Sequence, residues 1–195
     1  IKSVVNDYLK EGIAHTLDET RNLSDSGQFE DISLQQGIRQ ILYPYEEMEV
    51  LNPEWEVILK DIIDSLFEQM SDEEYNILNE EFGTYMVSRA YEYRQLLEYL
   101  VFRYFAKSIY DYDFLGKCQM LVTNFFVIRQ MDIIRWLDNH REYSFKDRMD
   151  VVHIFSRQVE YSEDNIENLY EDFIFDDIFK TDSLIAILWI DSENI

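Results

Sequence analysis

Residues 114–137 read FLGKCQMLVTNFFVIRQMDIIRWL. On a 3.6-residue period the apolar positions of this run spread too widely for one face, and Phe125 and Phe126 put adjacent rings on different sides. A helix that is apolar nearly all round has to be surrounded by other elements. Residues 96–110, LLEYLVFRYFAKSIY, repeat that character just upstream, and the short link from Asp111 to Asp113 favours antiparallel packing of the pair. The expectation is a helical bundle with these two aromatic-rich helices buried at its centre.

Local signals mark further helices on either side. Asn52 then Pro53 is a cap followed by a first-turn proline. Trp55, Ile58, Leu59, Ile62, Ile63, Leu66 and Phe67 share one broad face, which predicts a helix over about 53–70. Ser71 and Glu74 have capping-box spacing and open a periodic stretch through Tyr75, Leu78, Phe82 and Met86 and onward to Tyr110, with Gly83 and Thr84 as a candidate break, which reads either as two helices or as one kinked helix. Ser144 with Asp147 opens a helix to about Tyr161, and Ser162 with Asn165 opens the next, to about Phe175. Leu184 to Ile190 reads as a last helix capped by Asp182 or as a short strand, since seven apolar residues do not reveal a period, and the helix is favoured. Toward the N-terminus, Ile32, Ile38, Ile41 and Leu42 predict a helix over 31–43 that Pro44 stops, because proline lacks the amide donor. Residues 2–22 carry Val4, Val5, Leu9, Ile13 and Leu17 at helical spacing, and Leu23 to Gly27 is loop. Five glycines and two prolines are too few for the turns of a sandwich or barrel. The fold class is therefore read as all-α: one irregular helical domain over residues 1–195, with residues 1–50 as a candidate N-terminal layer.

A net charge of −23 repels nucleic acid phosphates and anionic membrane surfaces. The same field attracts a lysine-rich surface, and it also keeps a protein soluble. Cys118 to Ile128, the longest uncharged stretch, falls well short of the roughly 20 apolar residues that span a bilayer, and no basic segment opens the chain. A single cysteine, Cys118, cannot form an internal disulfide. It is expected as a buried, inert thiol in a reducing, cytoplasmic setting.

Glycine-rich phosphate cradles are absent, and one cysteine cannot build a thiolate metal site. Asp150 and His153 (DVVH) have the i, i+3 spacing of two ligands on one helix face, but no matching pair exists and no metal site is assigned. His15 and His140 have no evident carboxylate and nucleophile to complete a triad. More informative are charges on helices that otherwise look buried: Glu98 and Arg103 on the first, and Arg129, Asp132 and Arg135 on the second. Buried charge is costly unless paired. The spacing allows Asp132 to lie between the two guanidinium groups. That arrangement reads either as an internal ion-pair network or as a pocket holding an anion or peptide, with Arg103 and Tyr104 contributing from the facing helix. The aromatic positions Tyr91, Tyr93, Tyr99, Tyr104, Phe105 and Tyr110 divide the same way, between core and binding surface.

Two segments here carry a resemblance. Leu100 to Phe105 (LVFRYF), within an aromatic-rich block, and Ser156, Arg157 and Glu160 (SRQVE) are similar to recurring segments in the C-terminal helical region of bacterial flagellin lysine-N-methylase (FliB-like) proteins, over roughly residues 95–170. The resemblance implies methylation of lysine side chains in flagellin, with a methyl donor and a cysteine-ligated iron–sulfur cluster near the N-terminus of the whole protein. This chain lacks the cysteines. It is accordingly expected to be an accessory or substrate-recognition region, inactive alone, with the cofactors held by an upstream part and a lysine-rich protein such as flagellin as partner. The competing expectation is a stand-alone acidic interaction module. Catalytic residues are not carried over, and the binding candidates are Arg103, Tyr104, Arg129, Asp132, Arg135 and Arg157.

Overall fold

A computed structural model describes residues 32–193. Helix α1 spans Leu34–Glu46. Helix α2 spans Pro53–Ile62 and runs into a π-helical turn, Ile63–Glu68. Helix α3 spans Asp72–Met86, and a 3₁₀ turn, Val87–Arg89, leads into α4, Ala90–Phe105. The single turn α5, Ser108–Asp111, precedes α6, Phe114–Asp138. Helix α7 spans Phe145–Phe155, followed by a second π-helical turn, Ser156–Glu160. Helix α8 covers Glu163–Phe175 and α9 covers Thr181–Glu193. No strand occurs among the described residues, and the fold is all-α. The readings over residues 2–22 and 23–27 lie outside the described residues.

The marked helix starts form as local chemistry dictates. Asn52 accepts a hydrogen bond from the Glu54 amide with Pro53 behind it. Ser71 with Glu74 and Ser144 with Asp147 each close a reciprocal capping box, and Ser162 accepts from the Asn165 amide. Each cap satisfies amides that a helix N-terminus otherwise leaves without partners.

Helix α6 is the hub. It contacts α1, α2, α3, α4, α7, α8 and α9, and Met120, Phe126, Val127, Ile128, Met131 and Ile133 on successive sides of it are buried. Helix α4 lies antiparallel on it, with Tyr93 reaching Phe125 and Asp132 near one end and Phe105 meeting Phe114 at the other. The expectation that α4 is equally central is corrected. Its buried residues form a single stripe, Glu92, Leu96, Leu100 and Tyr104, while Phe102 is 79% exposed. Apart from its neighbours in sequence, α4 packs chiefly on α6, so among the described residues little else covers the rest of its circumference.

Three boundaries also differ. Pro44 lies inside the last turn of α1. There its missing donor costs a single ladder bond, and the next residue, Tyr45, is fully buried with its hydroxyl bonded to Thr123 and Asn124 of α6. Helix α3 continues through Gly83 and Thr84 and breaks at Val87–Arg89. A helical glycine costs about 1 kcal/mol, less than the burial of Phe82 and Met86 on either side contributes. Helix α9 forms, but it starts at Thr181, so Asp182 lies in its first turn instead of capping it.

Neither π turn was anticipated. In the second one, three consecutive residues, Gln158, Val159 and Glu160, are buried. Gln158 accepts from the Leu51 and Asn52 amides and donates to the Glu49 carbonyl, which Asn165 also bonds. The turn thereby clamps the link between α1 and α2.

Candidate functional site

The charges of α6 find partners on neighbouring helices. Asp132 is fully buried and accepts hydrogen bonds from the Tyr93 hydroxyl at 2.7 Å, from the Tyr143 hydroxyl and from Arg148 of α7. The Arg148 guanidinium stacks 4.2 Å from the Tyr93 ring centre and lies 3.5 Å from Glu92, which Arg89 holds with two further bonds. Burial raises the Asp132 carboxyl above its usual range, with Arg148 and the tyrosine hydroxyls acting against it. Burial also works against the Arg148 charge, yet Asp132 and the ring oxygens hold its proton more tightly than usual. Arg129 pairs elsewhere, at 2.5 Å from Asn79 and 3.0 Å from Asp191 of α9. The expected sharing of Asp132 between Arg129 and Arg135 is therefore not what forms. Helices packed on several sides of α6 supply partners that same-helix spacing could not reveal.

Arg103 and Tyr104 belong to another network. The Tyr104 hydroxyl donates to Glu160 at 3.3 Å, while Tyr99 and Ser156 both donate to its second oxygen at 2.7 Å. The Arg103 guanidinium reaches the Glu160 carbonyl at 3.4 Å. Asn124 links Tyr104 onward to Tyr45. The LVFRYF and SRQVE segments, remote in sequence, thus meet at Glu160, and the meeting ties α4 to the second π turn. Burial and the Glu160 carboxylate push the Tyr99 hydroxyl up to about 12, so it stays a hydrogen-bond donor at neutral pH. These networks tie buried side chains of neighbouring helices to one another and rigidify the bundle.

Open concavities lie elsewhere. A groove of about 610 Å³ runs between α2, α6 and α7. Its floor is apolar: Val57 and Ile58 of α2, Met131 and Ile134 of α6, and Ile154 of α7. Its rim carries Glu54 and Asp61 from α2, Asp138 at the end of α6, and Asp150 from α7, together with Arg135 and His153. Arg135 is thus a groove residue, and Asp150 and His153 share a face as their spacing predicts. Arg157 is exposed in an adjoining hollow that also borders His153. The six binding candidates are consequently distributed over five places. Sequence reading missed the groove because its carboxylates come from three helices, with no local pattern beyond the DVVH pair to announce them.

An iron–sulfur cluster does not suit this donor set. Such a cluster takes about four thiolates, the chain has one cysteine, and burial pushes the thiol of half-buried Cys118 further from ionisation. Among the described residues no group of three or more His, Cys, Asp or Glu side chains is placed to hold a metal ion, and no helix is long and apolar enough to cross a membrane.

No curated protein and no solved structure matches the chain. A family model described as the FliB lysine N-methylase C-terminal domain matches residues 1–187. The match extends the similarity well beyond the 95–170 block and takes in every element that builds the groove. The chain belongs to the FliB lysine N-methylase C-terminal domain family.

Proposed function

We propose that this domain is a substrate-recognition region of a protein-lysine N-methylase, inactive alone, which draws in a lysine-rich protein such as flagellin while residues outside this chain supply the methyl donor and any cluster. The observation that carries this reading is the distribution of charge. The chain has 40 acidic and 17 basic residues. Several of the cations are consumed internally, Arg129 by Asp191, Arg148 by Asp132 and Lys117 by Asp111. Each such pair cancels one charge of either sign, so the net charge of −23 is left to give a carboxylate-dominated field, and such a field speeds and orients the encounter with a basic partner.

Binding of a lysine-rich flagellin segment, followed by fluorescence anisotropy, tests it. Affinity is expected to fall steeply as the Debye length shortens from about 30 Å to about 8 Å with rising salt, and acetylation of the lysines is expected to abolish binding. Absence of binding at low salt, or binding indifferent to salt and acetylation, overturns the reading.

A second reading, an interaction module with no part in an enzyme, is favoured by one observation. Ile109, Tyr110, Tyr112 and Phe114 are exposed around α5, and Ile174 and Phe175 are exposed at the end of α8. Exposed apolar groups in this number mark contact surfaces. Salt-independent association of the domain with an uncharged partner surface supports this second reading over the first.

A further inference from the structure

We infer that the groove between α2, α6 and α7 receives a lysine side chain of the substrate protein, with the methylene stem on the apolar floor and the ammonium among the rim carboxylates. The inference rests on the proposed recognition role and gives it a location.

The lining matches the two halves of that side chain. Lysine carries a hydrocarbon stem and a compact charged head, and it is best accommodated where apolar surface ends in carboxylates. Met131 and Ile134 are buried floor residues contributed by the rigid central helix. Val57 stands 60% exposed at the edge, available for contact. A volume of about 610 Å³ exceeds a single side chain and admits the residues flanking it.

Some carboxylates of the domain are paired and many are not; what sets the rim apart is that its unpaired acids come from three helices into one concavity. Asp132, Asp191 and Glu92 are neutralised in the core, and Glu46, Asp64, Glu81, Glu98 and Asp177 are paired at the surface. Among the described residues Glu54, Asp61, Asp138 and Asp150 have no ion-pair partner. Three helices therefore bring four carboxylates to one concavity against the single guanidinium of Arg135, an excess of negative charge that a bound cation relieves. Asp138 ends α6, where the negative pole of the helix adds to its charge instead of offsetting it. A bare metal ion suits the site less well than an organic cation, because the rim side chains do not converge into a ligand group and the floor offers no oxygen donors.

The test compares two charge-matched triple variants of the whole chain. Asp61→Asn, Asp138→Asn and Asp150→Asn neutralise the rim. Glu80→Gln, Glu167→Gln and Glu171→Gln remove the same charge from exposed positions that do not line the groove. A third variant, Val57→Trp, obstructs the floor without altering charge. The probes are a flagellin-derived peptide with one central lysine and its acetyl-lysine counterpart, at fixed ionic strength, with circular dichroism confirming the fold of each variant. The rim triple and Val57→Trp are each expected to weaken lysine-peptide binding about tenfold, the equivalent of about 1.4 kcal/mol, and the control triple less than about twofold. Equal weakening by the two triples, or unchanged binding in the rim triple, overturns the groove while leaving recognition by diffuse acidity standing. Failure of the unaltered chain to bind the lysine peptide overturns the recognition role itself.

Discussion

Helices α4 and α6 are built from nearly the same vocabulary of leucines, aromatics and isolated charges, yet they have opposite fates. Helix α6 buries residues on all sides, including Arg129 and Asp132, whereas α4 buries one stripe and exposes Val101, Phe102 and Tyr99 to solvent. The difference comes from the number of neighbours. Helices α1, α2, α3, α4, α7, α8 and α9 all contact α6, while α4 rests mainly on α6 itself. Apolar periodicity reports what a helix is able to bury, and the bundle decides what it does bury. The exposed remainder on α4 is then surface, and its charges pair along the helix, as Arg94 does with Glu98, instead of across the core.

Truncating matched aromatics sharpens the contrast most. Phe126→Ala in α6 is expected to destabilise the domain by about 3–5 kcal/mol, read from the urea midpoint. A loss below about 1 kcal/mol would show that α6 is not the packing hub.

Next comes the bond that joins α4 to the second π turn. Tyr104→Phe leaves Glu160 and Asn124 each short of a partner, at a cost of about 1–3 kcal/mol. Hydrogen exchange should then show faster opening in residues 156–160 than in α6. Uniform loosening would mean that the contact is not local to that junction.

A smaller effect is expected from pH. Burial raises the Asp132 and Asp191 carboxyls above their ordinary 3.8. Between the ordinary and the raised value the folded chain holds more protons than the unfolded one, so these groups lose stability for the fold as pH rises through that window. The exposed Glu74 and Asp111 are shifted downward by their hydrogen bonds and act in the opposite sense. Replacing Asp191 by Asn removes one of the raised groups. Its Tm should therefore decline less per pH unit across the window than that of the unaltered chain, and an equal or steeper decline contradicts the assignment.

Smallest of all is Phe102→Ala on the exposed side of α4, expected to change stability by less than about 0.5 kcal/mol. A cost approaching that of Phe126→Ala would erase the distinction between the two helices.

Helix identity and most helix starts were legible without the fold, because a cap is settled within four residues. Ser71 with Glu74 and Ser144 with Asp147 satisfy their own amides whatever packs around them. The 25-residue run of α6 also declared its centrality, since no soluble arrangement leaves so many apolar sides wet. Other features were settled by the bundle alone. Tyr45 carries α1 past Pro44 because α6 offers its hydroxyl two partners, and Asp132 chose Arg148 over the arginines of its own helix because α7 brings that guanidinium into direct contact. The groove is the fullest case. Asp61, Asp138 and Asp150 are unremarkable acids along the chain, and only the packing of three helices turns them into one unpaired rim above an apolar floor. Local structure follows from interactions a few residues long. The site depends on long-range juxtaposition, which the chain specifies only once it has folded.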